Sequence, residues 1–549
     1  MSKAIYYNGT ILTASDDNQE AAAVLVEDGI IKRVVYADRE AEAFLSSDHG
    51  AQTVDLQGRV LIPGFIDGHS HFLQNTLELF QLDARPSPLG KADSVEQLIA
   101  ALKEQLADPK YGRQEYLYAR GYDEAVYPDH RIPTRWDLDR VTAKPLALTH
   151  ASGHNTVFNS AALQLAGIGE DYTPPQGSSV GRTSDGTLTG IFHENARFDV
   201  FPKTLKNERE ILEKGFETVV FQYVSKGVTT AQDGATSKTW YGYTEQLAAR
   251  GKLPIDLVSY IVGSGPEDVL TAKEPRESTY VNHYRAAGIK LFLDGSPQAK
   301  TAWLSRPYHV PPENAAPGYS GYGIHTDKEV TEIFKKALAN HWQVNVHTNG
   351  DEAIEQFIRT YQRAVGETGV TTDLRPVSIH CQTVKEDQLD RMKKLGILAS
   401  FFVDHVFYWG DYHVESVLGL ERARRISPLS SALKRKLSFS LHQDTPVTAQ
   451  DPLFAIHNAV NRTTRSGKVL GGEFRITPWE ALKAVTINAA YQLFEEDKKG
   501  TIEVGKCADF AIWSDNPLKV PPEKIKEITV LETIKDGRIL YRKSDKEKG

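Results

Sequence analysis

The stretch Pro63-Gly64-Phe65-Ile66-Asp67-Gly68-His69-Ser70-His71-Phe72 decides how the rest of the chain is interpreted. Side chains at positions i and i+2 of a β-strand point to the same face of the sheet. If Ile66 to His71 are extended, His69 and His71 project together while Ser70 points away. Two neutral imidazoles at this spacing form one edge of a divalent-metal site, although two histidines on an ordinary loop show the same pattern. The partners that separate these alternatives must lie further along the chain.

The composition excludes several classes of protein. The chain has 549 residues, of which 40% are hydrophobic and 25% charged, as in globular domains. A formal net charge of -8 without a dense Lys/Arg stripe gives no sign of a basic surface that binds nucleic acid. No apolar run approaches the roughly 20 residues of a membrane-spanning helix, and no signal-peptide pattern opens the sequence. Two cysteines fit a reducing compartment, so we expect a cytoplasmic protein without nucleic-acid or membrane partners.

Both ends of the chain show short strand patterns joined by tight turns. Asn-Gly and Asp-Gly pairs favour hairpins because they accept the positive φ of a type I′ turn, and they occur at Asn8-Gly9, Asp28-Gly29 and Asp536-Gly537. Hairpins this short rarely bury a core alone. We therefore predict one small β-sandwich domain built from residues 1–60 and 485–549, rather than two unrelated terminal segments.

Between these ends, strand-like apolar runs alternate with helical patterns. Thr326–Asn340 illustrates the helices, since a capping box precedes a single apolar stripe. Eight apolar runs are candidate strands: Leu61–Asp67, Val228–Gln232, Ile255–Val262, Gly288–Asp294, Val344–His347, Val377–His380, Ile397–Val403 and Leu437–His442. This alternation predicts an α/β fold, a (β/α)₈ TIM barrel over residues 61–484.

A long interval separates the first two predicted barrel strands. It contains a further apolar run, Pro145–His150, and a loop-like stretch at 171–179. We predict that residues 75–215 form an insertion above the barrel mouth, in the position of a lid or substrate-binding module.

The ends of three later strands carry potential metal ligands, namely His347, His380 and Asp444. Barrel active sites gather at the carboxyl ends of strands, so these side chains would meet His69 and His71. A single histidine there is explained by hydrogen bonding in a loop, but four histidines and an aspartate at strand ends indicate a metal site. His442 shares a face with Asp444, either supporting the ligands or competing as one.

Lys290 lies inside the apolar run of the fourth strand, where an unpaired ammonium is costly. As a cation it cannot ligate a metal, because it has donors and no acceptor. Reaction of its neutral amine with carbon dioxide would give a carbamate, whose two oxygens can bridge two metal ions. The alternative is an ion pair with Asp294, and the residues alone leave both open.

The sequence resembles the metal-dependent amidohydrolases, and within them the amidohydrolase-3 branch that includes N-substituted formamide deformylases. The resemblance covers nearly the whole chain. It is carried by Pro63–His71, Gly227–Thr230, Ile289–Ser296, His347 with Gly350-Asp351, Ile379-His380, Asp444–Val447 and Gly500–Asp509.

The resemblance implies a site for one or two divalent ions, with zinc foremost and iron, manganese or cobalt as alternatives. In the two-ion form His69, His71 and Asp444 hold one ion, and His347 and His380 hold the other. Carboxylated Lys290 bridges them together with a hydroxide. Asp444 then serves as ligand and as general acid/base.

The residues expected to contact the substrate are His154 and Glu194 in the insertion and His405 and Trp409 after the seventh strand. Segments similar to Ser152–Asn155 and Phe192–Asn195 occur in the family. The aromatic residues beside His405 form a predicted wall of the site, and loop packing is the alternative explanation.

The function implied is metal-dependent hydrolysis of a non-peptide C–N bond in an amide, formamide or cyclic amide. The substrate is a small molecule, and a homodimer is possible in solution. Alternatives are ester hydrolysis, isomerisation or deamination at the same site, or a scaffold protein that has lost its chemistry.

Overall fold

The computed structural model describes residues 3–17, 19–47, 50–87, 89–202, 208–262, 279–312 and 315–544. Within these ranges the strands form three sheets, here called the terminal, insertion and central sheets. None of the helices in the same ranges is long and apolar enough to cross a bilayer.

The N-terminal segment begins the terminal sheet. Its elements are β1 (Lys3–Leu12), β2 (Glu20–Glu27), β3 (Ile30–Val35), α1 (Asp38–Ser47), β4 (Gln52–Asp55) and β5 (Val60–Pro63). Strands β2 and β3 form the hairpin predicted at Asp28-Gly29. The hairpin predicted at Asn8-Gly9 is wrong, because β1 runs through this pair and pairs with β2 on both sides of a bulge.

The backbone at Asn8-Gly9 explains this difference. A type I′ turn needs positive φ at both central residues, whereas here only Asn8 has it, at 57°. Gly9 is required for another reason: a Cβ atom there would lie 2.4 Å from the carbonyl oxygen of Arg59. The bulge is where β1 changes its parallel neighbour, from β4 before it to β5 after it.

Pro63-Gly64 marks the passage from the terminal sheet to the central sheet. Strand β5 ends at Pro63, and β6 (Phe65–Ile66) is the first strand of the central sheet. Gly64 donates its N–H to the carbonyl of Asp509 at 2.8 Å. A Cβ at Gly64 would lie 2.4 Å from Thr229 Oγ1, so only glycine allows this close approach.

The chain next forms the insertion sheet, whose strand order is β11-β12-β10-β9-β8-β7. Its elements are α2 (Phe72–Glu78), β7 (Leu82–Asp83), α3 (Val95–Leu106), α4 (Pro109–Gly112), β8 (Leu117–Tyr122), α5 (Arg135–Asp139), β9 (Leu146–His150), β10 (Asn155–Phe158), α6 (Ser160–Ala166), β11 (Ser179–Arg182) and β12 (Leu188–His193). The extra apolar run noted in the sequence is β9. Residues 203–207 of the predicted insertion lie outside the described residues.

The central sheet continues with alternating helices and strands. These are α7 (Glu208–Val224), β13 (Val228–Thr236), α8 (Lys238–Ala249), β14 (Asp256–Ile261), β15 (Tyr284–Phe292), α9 (Asp327–Ala339), β16 (Gln343–Thr348), α10 (Asp351–Thr368), β17 (Val377–His380), α11 (Glu386–Leu395), β18 (Leu398–Phe401), α12 (His405–Tyr412), α13 (Leu420–Ala423), α14 (Leu429–Lys434), β19 (Phe439–Leu441), α15 (Pro452–Asn461), α16 (Pro478–Ala484) and α17 (Ile487–Gln492). All eight predicted strands are present, and each pairs in parallel with its neighbour.

The central sheet curls so that its first and last strands approach each other. A Cβ on Gly68, just after β6, would lie 2.7 Å from Ser440 Oγ in β19. Beyond the strands, His71 donates its backbone N–H to the carbonyl of Thr445 at 2.7 Å. Among the described residues β6 and β19 share no strand ladder, so contacts such as these join the two edges and bring the segments that follow them together.

The C-terminal segment completes the terminal sheet with β20 (Phe510–Trp513), β21 (Val530–Lys535) and β22 (Arg538–Arg542). The strand order is β22-β21-β20-β5-β1-β2-β3, with β4 beside β1. Strands from both ends of the chain therefore share one sheet. The sandwich arrangement stays a prediction.

A buried ion network joins the C-terminal segment to the starts of the central strands. Lys535 Nζ lies 2.9 Å from carboxylates of both Asp256 and Asp509, and Lys499 pairs with Asp256 and Glu495. Burial alone would raise the pKa of the Asp256 carboxyl, but Lys499 and Lys535 hold it well below its usual range. Removing one partner from such a network leaves a buried charge uncompensated.

We predict that Asp256→Asn lowers the free energy of unfolding by about 3–5 kcal/mol, because two buried lysines lose their shared carboxylate. Urea unfolding followed by circular dichroism measures the change. Glu527→Gln, which breaks an exposed pair with Lys524, is the matched control and should leave the unfolding midpoint in place. Equal midpoints for the two variants would contradict the importance of the network.

Candidate metal centre

The side chains predicted as ligands meet where the central strands end. His69 and His71 follow β6, His347 lies in β16, His380 ends β17, and Asp444 follows β19. Strand β6 ends at Ile66, earlier than predicted, yet both histidines after it turn toward Asp444.

The first group consists of His69, His71 and Asp444. The Nε2 atoms of His69 and His71 lie 3.5 Å and 3.2 Å from Asp444 Oδ1. One ligand atom from each of the three residues falls within 4.8 Å of the others, a spacing that a single metal ion can span. Gly234 leaves room for this group, since a Cβ there would lie 2.1 Å from the ring of His69.

The second group consists of His347 and His380. His347 Nδ1 and His380 Nε2 face each other at 3.1 Å. The other nitrogen of His347, Nε2, lies 3.1 Å from the carbonyl oxygen of Gly295, which fixes this side as the N–H donor. Asp444 Oδ2 lies 4.0 Å from His380 Nε2, so Asp444 borders both groups.

Lys290 lies beside the first group. Its Nζ is 3.0 Å from His69 Nε2. The ion pair with Asp294, the alternative left open by the sequence, is wrong. Asp294 instead accepts three backbone N–H bonds, from Asn349 at 3.0 Å, Gly350 at 2.7 Å and Trp303 at 3.0 Å. Asp294 thereby holds the loop that follows His347.

The electrostatics of the cluster fit a bound cation. Burial lowers the pKa of the His69, His347 and His380 imidazoles well below the usual range, and it lowers the pKa of the Lys290 amine to about 7. Burial would raise the pKa of Asp444, but neighbouring imidazoles, His380 first, hold it well below its usual value. Neutral imidazoles around a carboxylate are the donor set of zinc and similar ions.

The hydrogen bonding of two buried polar atoms in this cluster also favours a bound cation. His69 Nδ1 is buried without a hydrogen-bond partner, and buried Asp444 Oδ1 makes no well-aligned hydrogen bond although His71 Nε2 lies 3.2 Å away. A buried carboxylate oxygen is costly unless it is paired or coordinates a metal. The residues present therefore suit a divalent ion.

The backbone is strained at this centre. His380 and Asp444 have positive φ values of 70° and 55°, as does Glu194 at 53°. Non-glycine residues rarely adopt this conformation, and such strain concentrates at functional sites. The sequence gives no sign of it.

The role of His442 follows from its two ring nitrogens. Nε2 lies 3.1 Å from His380 Nδ1, and Nδ1 lies 2.8 Å from Ser400 Oγ. Both nitrogens are thus engaged, which excludes His442 as a competing ligand in this arrangement. It orients His380 and leaves His380 Nε2 directed at His347.

The hydrogen bonds continue from Ser400 across the sheet. Ser440 Oγ lies 2.8 Å from Ser400 Oγ and 2.6 Å from Gln492 Oε1. The side-chain amide of Gln492 donates to the carbonyl of Gly68 at 2.8 Å. The chain of hydrogen bonds therefore links the support of His380 to the backbone beside His69.

The predicted substrate-contacting residues surround the same centre. His154, His347, His380, His405, Asp444 and Val447 border a small space, here called the inner cavity. His154 Nδ1 lies 2.9 Å from Glu194 Oε2, and Thr301 donates to Glu194 Oε1 at 2.8 Å. Glu194 therefore orients His154 and does not itself border the cavity. Trp409 lies behind His405, with ring centroids 5.1 Å apart.

A second cluster of acids and histidine was missed in the sequence. Asp123, Glu124 and His150 are buried, with His150 Nε2 3.2 Å from Glu124 Oε2. Burial opposes protonation of His150, but Glu124 and Asp123 outweigh it and raise the pKa of His150 to about 9. The three side chains form a buried ion pair, and their ligand atoms also lie within 4.8 Å of one another. Asp123 also accepts the indole N–H of Trp409 at 2.8 Å.

Comparisons with known proteins identify the family of this chain. The family model described as the Amidohydrolase family matches residues 52–541. The chain belongs to the amidohydrolase family. It is 27% identical to the protein YtcJ of Bacillus subtilis, named as an amidohydrolase, over 99% of this chain and 100% of that protein. It is 25% identical to the N-substituted formamide deformylase of Arthrobacter pascens, over 99% of both.

A solved structure shares the fold. The crystal structure of an uncharacterized metal-dependent hydrolase from Pyrococcus horikoshii superposes with a TM-score of 0.72 at 24% identity, covering 95% of this chain and 99% of the other. The predicted family is confirmed. This amidohydrolase is an enzyme of the metal-dependent hydrolase type, as predicted.

We predict that His442→Phe weakens zinc binding about 10- to 100-fold, because His380 loses the partner that orients it. Titration with a competing chelator measures the affinity. His457→Gln, which alters a histidine that contacts Asn461 at 3.1 Å, is the control and should bind zinc as the wild type does. Unchanged affinity in His442→Phe would show that His380 needs no such support.

Proposed function

We propose that this amidohydrolase hydrolyses a non-peptide C–N bond in an amide, formamide or cyclic amide. The observation that carries the proposal is the convergence of four histidines, Lys290 and Asp444 at the ends of the curled central sheet. A family relative of nearly equal length is a formamide deformylase, which supports this choice of bond.

The proposed ligands are His69, His71 and Asp444 for one ion, and His347 Nδ1 with His380 Nε2 for the other. Zinc is proposed because imidazole and carboxylate donors suit it; iron, manganese and cobalt accept the same donors. Divalent ions at such a site supply Lewis acidity, which activates water and polarises the carbonyl of the substrate.

Lys290 is proposed to carry a carboxyl group. With its pKa lowered to about 7, a large share of the amine is neutral at neutral pH. The lone pair of the neutral amine attacks carbon dioxide, an N–C bond forms, and one proton leaves, so the neutral amine becomes an anion. This carbamate would supply the oxygens that bridge the two ligand groups.

Asp444 is the proposed general acid/base. It borders the inner cavity, and its two oxygens face the two histidine groups. It takes the proton from the attacking water as the new C–O bond forms. It then delivers that proton to the nitrogen that leaves as the C–N bond breaks.

We also propose how the chain is divided. Residues 1–60 and 485–549 form the small β-sandwich domain, residues 61–484 form a closed (β/α)₈ barrel, and residues 75–215 cover its mouth. His154, oriented by Glu194, and His405, backed by Trp409, contact the bound substrate. Their positions around the inner cavity support these roles.

We predict that the metal-loaded wild type hydrolyses members of a panel of N-substituted formamides, cyclic amides and N-acyl compounds. Asp444→Asn should reduce kcat at least 10²- to 10⁴-fold, because no other group shuttles the proton. Its circular dichroism spectrum should match the wild type.

The matched control is Asp390→Asn, which alters a carboxylate paired with Arg435 on the outside of α11. It should retain wild-type kcat. Full activity in Asp444→Asn would remove Asp444 from proton transfer. A panel in which esters react and every C–N compound is inert would contradict the proposed bond.

A further inference from the structure

A second, larger cavity lies next to the inner cavity. It has a volume of about 310 Å³ and is here called the outer cavity. Val447 borders both spaces. The walls of the outer cavity come from α2 and β7, from the end of β8, and from Tyr408 and Trp409 of α12. Because Val447 is common to both, the two spaces are adjacent, and a substituent that passed Val447 from the metal centre would enter the outer cavity.

Most of the charges around the outer cavity are paired. Arg85 makes a two-pronged ion pair with Asp83, at 2.9 Å and 2.7 Å. Arg120 pairs with Glu78, and both side chains are largely buried. Paired charges of this kind attract a charged ligand weakly, because each field is cancelled at close range.

Arg465 is different. In the part of the chain that the structure describes, its guanidinium makes no hydrogen bond and has no carboxylate within 4 Å. Its Nε is buried without a partner, and the group lies 5.1 Å from the ring of Tyr408. The backbone N–H of Arg465 donates to the carbonyl of Phe407 at 3.1 Å, which fixes the base of the side chain at the cavity wall.

Asp123 is the carboxylate whose pKa Arg465 helps to lower, but it is already engaged. It accepts the N–H groups of Trp409 and Ala125. Burial would raise its pKa, and His150 before Arg465 holds that pKa below the usual value. Arg465 thus retains unused N–H donors directed at a space bordered by paired charges and by apolar side chains such as Leu79, Leu82 and Leu89.

We propose that Arg465 binds a carboxylate on the substituent of the substrate, so that this enzyme prefers amides with an acidic group beyond the scissile bond. This inference rests on the proposed function. A planar guanidinium matches a carboxylate through two parallel hydrogen bonds. A single cation without an ion-pair partner suits a monoanion, because it can neutralise only one negative charge. Arg465 is a specificity residue, and the chemistry stays with the metal centre.

The test compares two formamides that differ only in the carboxylate, N-formylphenylalanine and N-(2-phenylethyl)formamide. The wild type should show the higher kcat/KM for N-formylphenylalanine. In Arg465→Gln the ratio of the two kcat/KM values should fall about 10- to 100-fold, as expected for loss of charge-assisted hydrogen bonds. Arg465→Lys should lose part of the preference, because it keeps the charge without the planar fork.

Arg140→Gln is the control, since it removes one arginine charge from an exposed pair with Glu96. It should keep the wild-type ratio. If Arg465→Gln also keeps the wild-type ratio, or if the wild type shows no preference for N-formylphenylalanine, the proposal is overturned.

Direct binding separates this inference from the proposed function. Calorimetric titration of the metal-loaded protein with phenylacetate and with the neutral 2-phenylethanol needs no turnover, because neither compound contains a C–N bond. The wild type should bind phenylacetate more tightly than the neutral compound. Arg465→Gln should weaken the binding of phenylacetate about 10-fold or more. Phenylacetate that binds equally to both proteins is held at the metal centre instead, and that result overturns the proposal even if formamides are hydrolysed. If no C–N compound of the panel reacts, the proposed function fails and this titration alone decides the role of Arg465.

Discussion

The fold is constrained by a group of polar side chains that are buried together and whose charge is not balanced within the group. Four imidazoles, an amine and a carboxylate occupy one end of the curled central sheet. Burial lowers the pKa of His69, His347 and His380 well below the usual range, while neighbouring imidazoles keep the pKa of Asp444 low, so the group favours a bound cation. A divalent ion supplies that charge, and burial without one is costly. Metal binding and stability of this end of the sheet are therefore expected to be coupled.

The surrounding structure holds the ligands in place. Asp294 clamps the loop after His347 with three backbone hydrogen bonds. His442 orients His380, and the hydrogen bonds beyond it reach the backbone beside His69. Positive φ values at His380 and Asp444 show that the backbone is held in an unfavourable conformation. These supports explain how side chains from five separate segments keep one geometry.

Chemistry and specificity come from different parts of the chain. The central sheet provides the proposed ligands, whereas the insertion sheet and helix α12 provide most of the outer cavity. This division is general, because loops on a constant scaffold can change without disturbing the site. Arg465 and the paired charges around it give the outer cavity a character that the metal centre does not determine.

Much of this architecture could be predicted from the sequence, because strand periodicity and strand ends are local signals. The eight parallel strands and the meeting of His69, His71 and Asp444 follow from such signals. The predicted hairpin at Asn8-Gly9 is wrong because packing against Arg59, a tertiary contact, decides the conformation there.

The supporting contacts could not be predicted, since they join residues far apart in the chain. Lys290 contacts His69 and not the nearby Asp294. The environment of Arg465 depends on strands from the insertion. Nothing in the local sequence distinguishes Asp123 and Glu124 from ordinary acidic residues in a loop.

A crystal structure of the zinc-loaded enzyme, with anomalous difference maps at the zinc edge, would test directly whether the proposed ligands hold the metal. We predict one or two peaks among His69, His71, His347, His380 and Asp444, with added density for a carboxyl group on Lys290 Nζ. A bare amine in the metal-loaded enzyme would contradict the carbamate. Absence of any peak at these residues, or a peak only at Asp123, Glu124 and His150, would contradict the assigned metal centre.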